Sequence, residues 1–483
     1  MMNAAPARAA TISPRPLPRS IDPRAFLVGG GILAAALVGA LAANHPAYWR
    51  LALAVALAAN LLIIAARWPR AAAFVTLLFL PFLALVRRLL IEDAGWTRYD
   101  PLLLVAPAVA IFLVARLFLL DRRELAPNGI SKLVVALLAL VLLQSFNPML
   151  GSLTAGAGGF MFLGVPLLWF FIGREFADPR LVLVLLYCVV GIAVAIGAYG
   201  LWQTDVAMPP WDAAWVDLNG YQALSVYGVT RAFGTFSSAA EYAIFLGVAV
   251  AISVAMLVHR RGVFALAVPF LAVPLFLAGG RAVVVLVVLA ALVAVGLRTR
   301  NTRLALAIVV VGLVAAAVAV RSYAPEAGDP SSSSTNPFVA RQVSGLTNPL
   351  DPEQSTLLTH IDLVIGGLEQ GILHPFGQGT AATNIAADRF GIGSSTKGTE
   401  VDVSNAFVSL GLVGGLLFLA LVVATLRHTV TSYLRRPDPV MLAVIVFLVV
   451  TAGQWLNGGY YALAPLTWFL VGWATTRRPE ARV

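Results

Sequence analysis

The chain has 483 residues, of which 60% are hydrophobic and only 12% are charged. Soluble globular domains are about half apolar and about a quarter charged, so this composition excludes a purely soluble enzyme and a disordered protein and indicates a polytopic membrane protein. The single cysteine, Cys188, excludes a disulfide scaffold. The basic residues behind the net charge of +10 are scattered between apolar segments, which indicates membrane anchoring and no nucleic-acid partner.

Apolar runs that approach the length of a membrane crossing recur along the whole chain. Because about 20 apolar residues span a bilayer as a helix, we predict an all-α fold with about 14 transmembrane helices, and at least about 12. The two runs that flank Gly279–Arg281 are also compatible with one broken or re-entrant element. The candidate spans are 26–43, 51–66, 71–87, 101–120, 132–146, 158–174, 180–201, 239–257, 263–278, 282–297, 304–320, 406–426, 439–456 and 460–475.

These spans predict a simple organisation of the chain. One connection is far longer than the others, and long connections in compact proteins are usually functional or disordered. The predicted regions are an N-terminal tail at 1–25, a transmembrane bundle at 26–320 with a long connection at 202–238, a large loop at 321–405, further transmembrane helices at 406–475 and a tail at 476–483.

The distribution of arginine and lysine predicts the sidedness of the chain. These residues collect in alternate connections, and the positive-inside rule assigns such connections to the cytoplasm. Both termini are therefore predicted to be cytoplasmic, and the connections 202–238 and 321–405 are predicted to face outward. Arg87, Arg88 and Arg98 violate the pattern, which we attribute to snorkelling at a helix end.

The large loop contains a segment with helical periodicity. Residues 353–373 place apolar side chains at helical spacing, which predicts an amphipathic helix that lies along the membrane face or caps a cavity. His374-Pro375 ends the pattern. The simpler interpretation of His360 and His374 is a polar helix face and a helix end, ahead of a catalytic role. The apolar positions are Leu357, Leu358, Ile361, Val364, Ile365 and Leu368.

Nothing in the sequence has the spacing of metal ligands. The five histidines divide between both predicted sides of the membrane, and neither an HExxH nor a CxxC motif is present. We therefore predict no metal and no cofactor.

Three charged residues are predicted at the outer ends of helices. Arg231 precedes the span at 239–257, and Arg281 lies between two strongly apolar segments. An arginine near the hydrocarbon boundary is costly unless it has a partner, and its donor geometry suits phosphate groups. Glu241 lies just inside the following span, and Arg231 is its expected partner. An interfacial anchor and a hairpin-tip charge are the alternative interpretations of the two arginines.

Four short motifs occur on the predicted outer side, in an order that resembles the O-antigen ligase and polymerase superfamily. The resemblance covers about residues 200–426, roughly half of the chain, and depends on the order and common sidedness of motifs that are individually weak. The motifs are R-x-F-G-T-F at Arg231–Phe236, G-G-R at Gly279–Arg281, H-P-x-G-x-G at His374–Gly379, and Ser404-Asn405 followed by G-x-x-G-G at Gly411–Gly415.

The resemblance implies an inverting, metal-independent glycosyltransferase in a bacterial cytoplasmic membrane, with its active site facing outward. Such an enzyme takes a glycan from an undecaprenyl-pyrophosphate donor and passes it to a glycan or glycolipid acceptor, alongside other polysaccharide-assembly proteins. Arg231 and Arg281 would hold the pyrophosphate and neutralise the charge on the leaving group. Arg341 and Arg389 would add contacts to phosphate or glycan, and Asn405 matches the motif asparagine.

The chain departs from the family at one position. Ligases of this family carry a histidine before the motif asparagine, and this chain has Ser404, which cannot act as a general base. Asp402 and Glu400 are the nearest replacements, and His360 or His374 would have to fold over the cavity. The missing histidine favours a polysaccharide polymerase, or a divergent transferase for another surface polymer, over an O-antigen ligase.

Two functions from other classes fit part of the sequence. A secondary transporter or a flippase for lipid-linked oligosaccharides would have a similar number of spans, but such proteins commonly show internal repeats, and none is evident here. A non-catalytic scaffold for envelope synthesis would leave Arg281 without a purpose. The 321–405 loop favours an enzyme that holds two substrates in place.

Overall fold

The computed structural model describes residues 39, 45–124, 127–219, 225–226, 229–327, 337–390, 399, 401–456 and 458–476. This part of the chain is helical apart from two antiparallel two-residue strands, β1 (Ser225–Val226) and β2 (Val229–Thr230). The helices of ten or more residues are α1 (Trp49–Arg67), α2 (Pro69–Leu89), α3 (Pro101–Leu120), α4 (Gly129–Gln144), α5 (Leu153–Phe176), α6 (Pro179–Val206), α7 (Pro210–Asn219), α8 (Ala239–Val258), α9 (Gly262–Leu277), α10 (Arg281–Arg298), α11 (Thr302–Ala327), α12 (Pro337–Thr347), α13 (Leu357–Leu373), α14 (Asp402–Arg435), α15 (Pro439–Val450) and α16 (Leu463–Ala474).

Eight helices of the described chain are long and apolar enough to cross a membrane, namely α1, α2, α3, α5, α6, α8, α10 and α14. Five further apolar helices are shorter than 18 residues. The predicted all-α, multi-pass membrane class is therefore confirmed, whereas the count of 14 crossings stays a prediction. The first predicted span, 26–43, lies almost wholly outside the described residues, as does the tail at 1–25.

The centre of the bundle contains α5, α8, α15 and α16. In an 18-residue apolar stretch of α5 and of α8, 83% is buried inside the protein, compared with 28% in α1, so α1 is peripheral. Glycines allow α5 and α16 to approach closely: a Cβ at Gly173 would overlap the backbone of Phe469, and one at Gly472 would overlap the backbone of Phe170. Small residues at such contacts favour packing between membrane helices.

Polar side chains define where the central helices begin. Ser152 accepts a hydrogen bond from the amide of Ala155 at the start of α5. Ser238 accepts from the amides of Ala240 and Glu241 at the start of α8. These N-caps satisfy amides that have no partner within the helix. Both capped helix starts lie at the end of the bundle where the predicted motifs lie.

The helix predicted in the large loop is present as α13, but its apolar stripe is not what packs against the bundle. Gly367 and Gly371 face α14, where their missing side chains would lie 2.8 Å from the Cβ of Ser404 and 2.6 Å from the Cβ of Phe407. The large apolar residues of α13 that are exposed are Leu357, Leu358, Ile361, Ile365, Ile372 and Leu373. This arrangement fits a helix that presents an apolar face to a membrane surface.

A break in α14 brings two of the predicted motifs together. Gly411 has a φ of +75°, in the region that only glycine adopts readily. The carbonyl of Pro375 accepts a hydrogen bond from the amide of Leu412 at 3.1 Å, and the amide of Gln378 donates to Val408 O at 2.9 Å. The H-P-x-G-x-G segment therefore lies across α14 at the break.

Candidate functional site

Arg231 and Arg281 lie at the same turn, between α9 and α10. The Nε and Nη2 groups of Arg231 donate to the carbonyl of Ala278 at 2.9 and 2.6 Å. Arg281 begins α10, and its Nη1 donates to the carbonyl of Gln354 at 2.7 Å. The structure thus brings the R-x-F-G-T-F and G-G-R motifs together, and both guanidinium groups contact backbone carbonyls.

Glu241 is buried in the first turn of α8, which packs next to the turn between α9 and α10. Its Oε1 accepts a hydrogen bond from the amide of Ala462 at 3.1 Å. Its described contact is therefore with the segment before α16, and Arg231 is not among its described partners. We call the turn between α9 and α10 the arginine turn. A Cβ at Gly280 in this turn would lie 3.0 Å from the Cβ of Ala243, so the start of α8 lies between the arginine turn and the segment before α16.

The start of α14 carries the acid and the amide predicted from the motif. Asp402 is buried, and its Oδ2 accepts a hydrogen bond from the amide of Leu456 at 2.5 Å. Asn405 accepts from the amide of Thr399 through its Oδ1 at 2.8 Å. Glu400, the second predicted acid, lies outside the described residues.

Ser404 occupies the position of the ligase histidine and is fully buried. Its hydroxyl donates to the carbonyl of Thr399 at 2.9 Å. Because Gly367 of α13 packs directly on its Cβ, an imidazole at this position would need α13 to move. The serine is part of a tight contact between α13 and α14, and the local structure is built for a small side chain.

Asp402 and Asn405 contribute polar groups to the partly apolar wall of a cavity of about 200 Å³. The cavity lies between α5, the start of α14, the segment after Thr380 and the segment before α16. We call it the polar cavity, and its lining residues are Phe162, Leu163, Thr383, Asn384, Ile385, Asp402, Asn405, Ala406, Leu410, Leu456, Gly458 and Gly459.

A second, mostly apolar cavity of about 230 Å³ adjoins it. We call it the apolar slot. Leu104 on its wall is 57% exposed, so the slot reaches the outer surface of the bundle. Its lining residues are Leu80, Leu83, Arg98, Tyr99, Asp100, Leu103, Leu104, Ala106, Pro107, Gly158, Met161, Phe162, Val165, Pro166, Trp169, Arg389, Phe390, Gly458, Tyr461 and Pro465.

The two cavities share Phe162 and Gly458 in their linings, so these two residues lie between the cavities, at a place that we call their junction. A Cβ at Gly458 would overlap the carbonyl of Phe162, so glycine allows the segment before α16 to pass close to α5. Arg389 lies over the Phe162 ring, with its guanidinium carbon 5.8 Å from the ring centroid. Arg389 therefore lines the apolar slot and Asp402 and Asn405 line the neighbouring polar cavity, with Phe162 and Gly458 between them.

Of the other predicted residues, none whose side chain the structure describes is among the lining residues of the two cavities. His360 is exposed in the first turn of α13, where its Nε2 forms a 3.1 Å hydrogen bond with Thr356 Oγ1. His374 ends α13. Arg341 belongs to α12, and its side chain lies outside the described part of the chain. Within the described residues, no group of three or more His, Cys, Asp and Glu side chains is placed to hold a metal ion.

Arg88, whose place at a helix end suggested a snorkelling residue, is buried in the protein. Arg88 is 1% exposed, and its Nε donates to Asp212 Oδ1 at 2.6 Å. Its Nη2 donates to the carbonyl of Gly234 at 2.6 Å, and its Nη1 donates to that of Phe236. The snorkelling interpretation is therefore wrong for Arg88, because a buried carboxylate and two carbonyls hold this guanidinium inside the protein.

Gln203 and Tyr199 complete the hydrogen-bond network around Asp212. Gln203 accepts from the amide of Gly234 at 2.8 Å and donates to Asp212 at 2.6 Å. The hydroxyl of Tyr199 also donates to Asp212, at 2.7 Å. The network fixes the backbone that follows Arg231, so the buried Arg88–Asp212 ion pair stabilises the R-x-F-G-T-F segment.

Arg87 is also buried, and it points to a different partner. Its Nε lies 3.1 Å from Asp100 Oδ2, and Arg50 Nη1 lies 2.5 Å from the same oxygen. Asp100 lines the apolar slot, so these two arginines support the slot wall. The signal in the sequence was the cluster of Arg87, Arg88 and Arg98 on the side that the positive-inside rule predicts to be poor in arginine.

No family model matches this chain, and no curated protein and no solved structure matches it either. The functional proposal therefore depends on the geometry of the site and on the motifs of this chain.

Proposed function

We propose that the protein is an inverting, metal-independent glycosyltransferase that uses a polyprenyl-diphosphate-linked glycan as donor. One observation carries the proposal: an apolar slot that reaches the bundle surface lies next to a polar cavity lined by the buried carboxylate of Asp402. A lipid-linked sugar needs both environments within one site, because its carrier is apolar and its glycan is polar. The resemblance to the O-antigen ligase and polymerase superfamily points to the same substrate class.

Asp402 is the proposed general base. An acceptor sugar hydroxyl in the polar cavity attacks the anomeric carbon of the donor, and its proton passes to the carboxylate. The bond between the anomeric carbon and the diphosphate oxygen breaks, and its electron pair leaves with the diphosphate. Attack opposite the leaving group inverts the anomeric centre.

The polar groups beside Asp402 are proposed to orient the acceptor. Thr383, Asn384 and Asn405 line the polar cavity and offer hydroxyl and amide groups for sugar hydroxyls. Holding the hydroxyl in line with the anomeric carbon would supply much of the rate enhancement. The resemblance assigns the diphosphate to Arg231 and Arg281, which lie at the turn between α9 and α10 and are not among the described lining residues of either cavity.

A polymerase that extends a polysaccharide is the preferred member of this class. Gly367 packs on the Cβ of Ser404, so the ligase histidine at this position would need α13 to move, and its absence supports a different acceptor from that of the ligases. The proposed location is a bacterial cytoplasmic membrane, with both termini inside, the site outside and other polysaccharide-assembly proteins as partners.

Deletion of the gene, followed by mass spectrometry of the polyprenyl-linked pool and gel analysis of surface polysaccharide, tests this function. A polymerase predicts that single repeat units accumulate on the carrier, whereas a ligase predicts full-length carrier-linked chains. Complementation with Asp402→Asn, which keeps the shape of the side chain, should lower polymer output on the order of 100- to 10,000-fold. Asp362→Asn changes an exposed acid on α13 and is the matched control.

Two outcomes would contradict the proposal. If the linked units accumulated only on the inner leaflet, a flippase would replace the transferase. If Asp402→Asn restored polymer as well as the wild-type protein at equal membrane levels, the base would have to be another group.

A further inference from the structure

The apolar slot has a cationic end whose charges are not neutralised by the acid beside them. Arg98, Asp100 and Arg389 all line the slot. Oδ2 of Asp100 contacts Arg50 at 2.5 Å and Arg87 at 3.1 Å, so this carboxylate is already shared by two buried arginines. Two further arginines therefore face the slot beside an acid that is more than neutralised.

Neither lining arginine has an ion pair or a guanidinium hydrogen bond within the described chain. Arg98 is exposed, and the described contact of the Arg389 guanidinium is with the face of Phe162. A guanidinium over an aromatic ring keeps its in-plane N–H donors available for an anion. Arg389 is thus held at the junction of the two cavities without losing its capacity to bind phosphate.

The arginine turn differs in this respect. Arg231 donates twice to the carbonyl of Ala278, and Arg281 donates to that of Gln354. Neither residue lines the slot or the polar cavity. In this conformation both side chains are used to hold the turn between α9 and α10 against its neighbours.

We infer that Arg98 and Arg389 bind the diphosphate of a polyprenyl-linked donor at the polar end of the slot. The inference rests on the proposed function and assigns the diphosphate to a different arginine pair from the one that the motifs indicate. The isoprenoid chain lies in the slot along α3 and α5, and the diphosphate lies beside Phe162. The glycan then enters the polar cavity, where it meets Asp402.

The backbone near the mouth suits this role. The hydroxyl of Tyr99 donates to the carbonyl of Arg389, and the rings of Tyr99 and Phe390 lie 6.1 Å apart. The segment before α3 and the segment after α13 are thereby joined across the slot, each beside one of the two arginines. This contact holds the backbone beside Arg98 close to the backbone of Arg389.

Binding of undecaprenyl diphosphate to the purified full-length protein tests the inference without an activity assay. Native mass spectrometry in detergent would compare wild type, Arg98→Ala/Arg389→Ala and Arg231→Ala/Arg281→Ala. Arg180→Ala, an exposed arginine at the start of α6, is the control. We expect the first double variant to bind about 10-fold or more weakly, because each lost hydrogen bond between charged groups is worth about a factor of ten. Arg180→Ala should bind like wild type.

Arg389→Lys keeps the charge but not the planar donors, so it should bind with intermediate affinity. It also provides a test if the double alanine variant fails to fold. Parallel measurements with inorganic diphosphate and with phosphatidylglycerol separate the donor from a free anion and from a bulk lipid. The inference predicts that both ligands compete poorly with undecaprenyl diphosphate.

Three results would overturn the inference. Wild-type affinity in Arg98→Ala/Arg389→Ala, with a loss only in Arg231→Ala/Arg281→Ala, would return the diphosphate to the arginine turn and leave the proposed function intact. Equal affinity for phosphatidylglycerol would make the slot a structural lipid site. No binding of undecaprenyl diphosphate even by wild type would remove both the inference and the proposed function.

Discussion

Arg88 and Arg389 are arginines at the same end of the bundle, but their guanidinium groups contact very different surroundings. Arg88 is 1% exposed and has a carboxylate and two backbone carbonyls as partners. Arg389 lies over an aromatic ring at the junction of two cavities. The difference teaches that the partners of an arginine indicate its role. An arginine with several buried partners stabilises the fold, whereas an arginine that faces a cavity is available to a ligand.

The largest expected effect follows from breaking the buried pair. Arg88→Ala leaves Asp212 buried without its cation, and we expect a loss of about 3–5 kcal/mol in the free energy of unfolding. Arg389→Ala should cost no more than about 1 kcal/mol, because no ion pair is lost. Thermal unfolding of the two purified variants in the same detergent measures the difference. Equal destabilisation by both would contradict the distinction between scaffold and site arginines.

The junction of the two cavities provides a second test. Gly458→Ala forces a methyl group against the carbonyl of Phe162, which should cost about 1–3 kcal/mol and weaken donor binding. Gly191→Ala is the matched control, since its new methyl group meets no atom within 4 Å and alanine favours the helix. Unfolding midpoints and binding of undecaprenyl diphosphate report the two effects. A Gly458→Ala protein that behaves like Gly191→Ala would show that the close approach is not needed.

The contact between α13 and α14 predicts the outcome of restoring the ligase residue. Ser404→His should destabilise the protein by about 1–3 kcal/mol, because Gly367 leaves no space for an imidazole. Ser404→Ala should cost only about 0.5–1.5 kcal/mol for its lost hydrogen bonds. Denaturation of both variants, together with polysaccharide output in cells, checks this order. Normal stability and gained ligase activity in Ser404→His would refute the packing argument.

The smallest effect is expected at the opposite end of the bundle, where His259 follows α8. Burial and the nearby Arg298 and Arg261 lower the pKa of His259 below its ordinary value of 6.5, against the opposing effect of Asp438. The unfolded chain therefore binds this proton more readily, and stability should fall slightly as the pH drops below about 6.5. His259→Gln should flatten this dependence in unfolding midpoints measured between pH 5 and 8. An unchanged pH profile would mean that another group titrates.

Short sequence patterns were enough to predict the helical fold and the proximity of some candidate site residues. Apolar runs located the helices because membrane helices need continuous apolar length. The H-P-x-G-x-G and G-x-x-G-G motifs meet at Gly411, and Asp402 and Asn405 line one cavity. These residues are close together in the sequence or belong to adjoining motifs, so local reasoning reached them.

Contacts between residues far apart in the sequence could not be predicted from these local patterns. The partner of Arg88 is Asp212, 124 positions away, and no periodicity connects the two. The apolar slot is built from α2, α3, α5 and α16 and from the segment around Arg389, so it exists only after these elements pack. The packing of Gly367 on Ser404 likewise depends on how α13 lies on α14. Tertiary contacts decide all three features.

The central claim is that the slot and the polar cavity form one site for a lipid-linked substrate. Photo-crosslinking with a polyprenyl diphosphate that carries a diazirine in its first isoprene units tests it most directly. The account predicts adducts on peptides containing 103–107 and 158–169, which undecaprenyl diphosphate suppresses and Arg98→Ala/Arg389→Ala reduces. Adducts confined to other helices, such as α10 and α11, and insensitive to both treatments would contradict it.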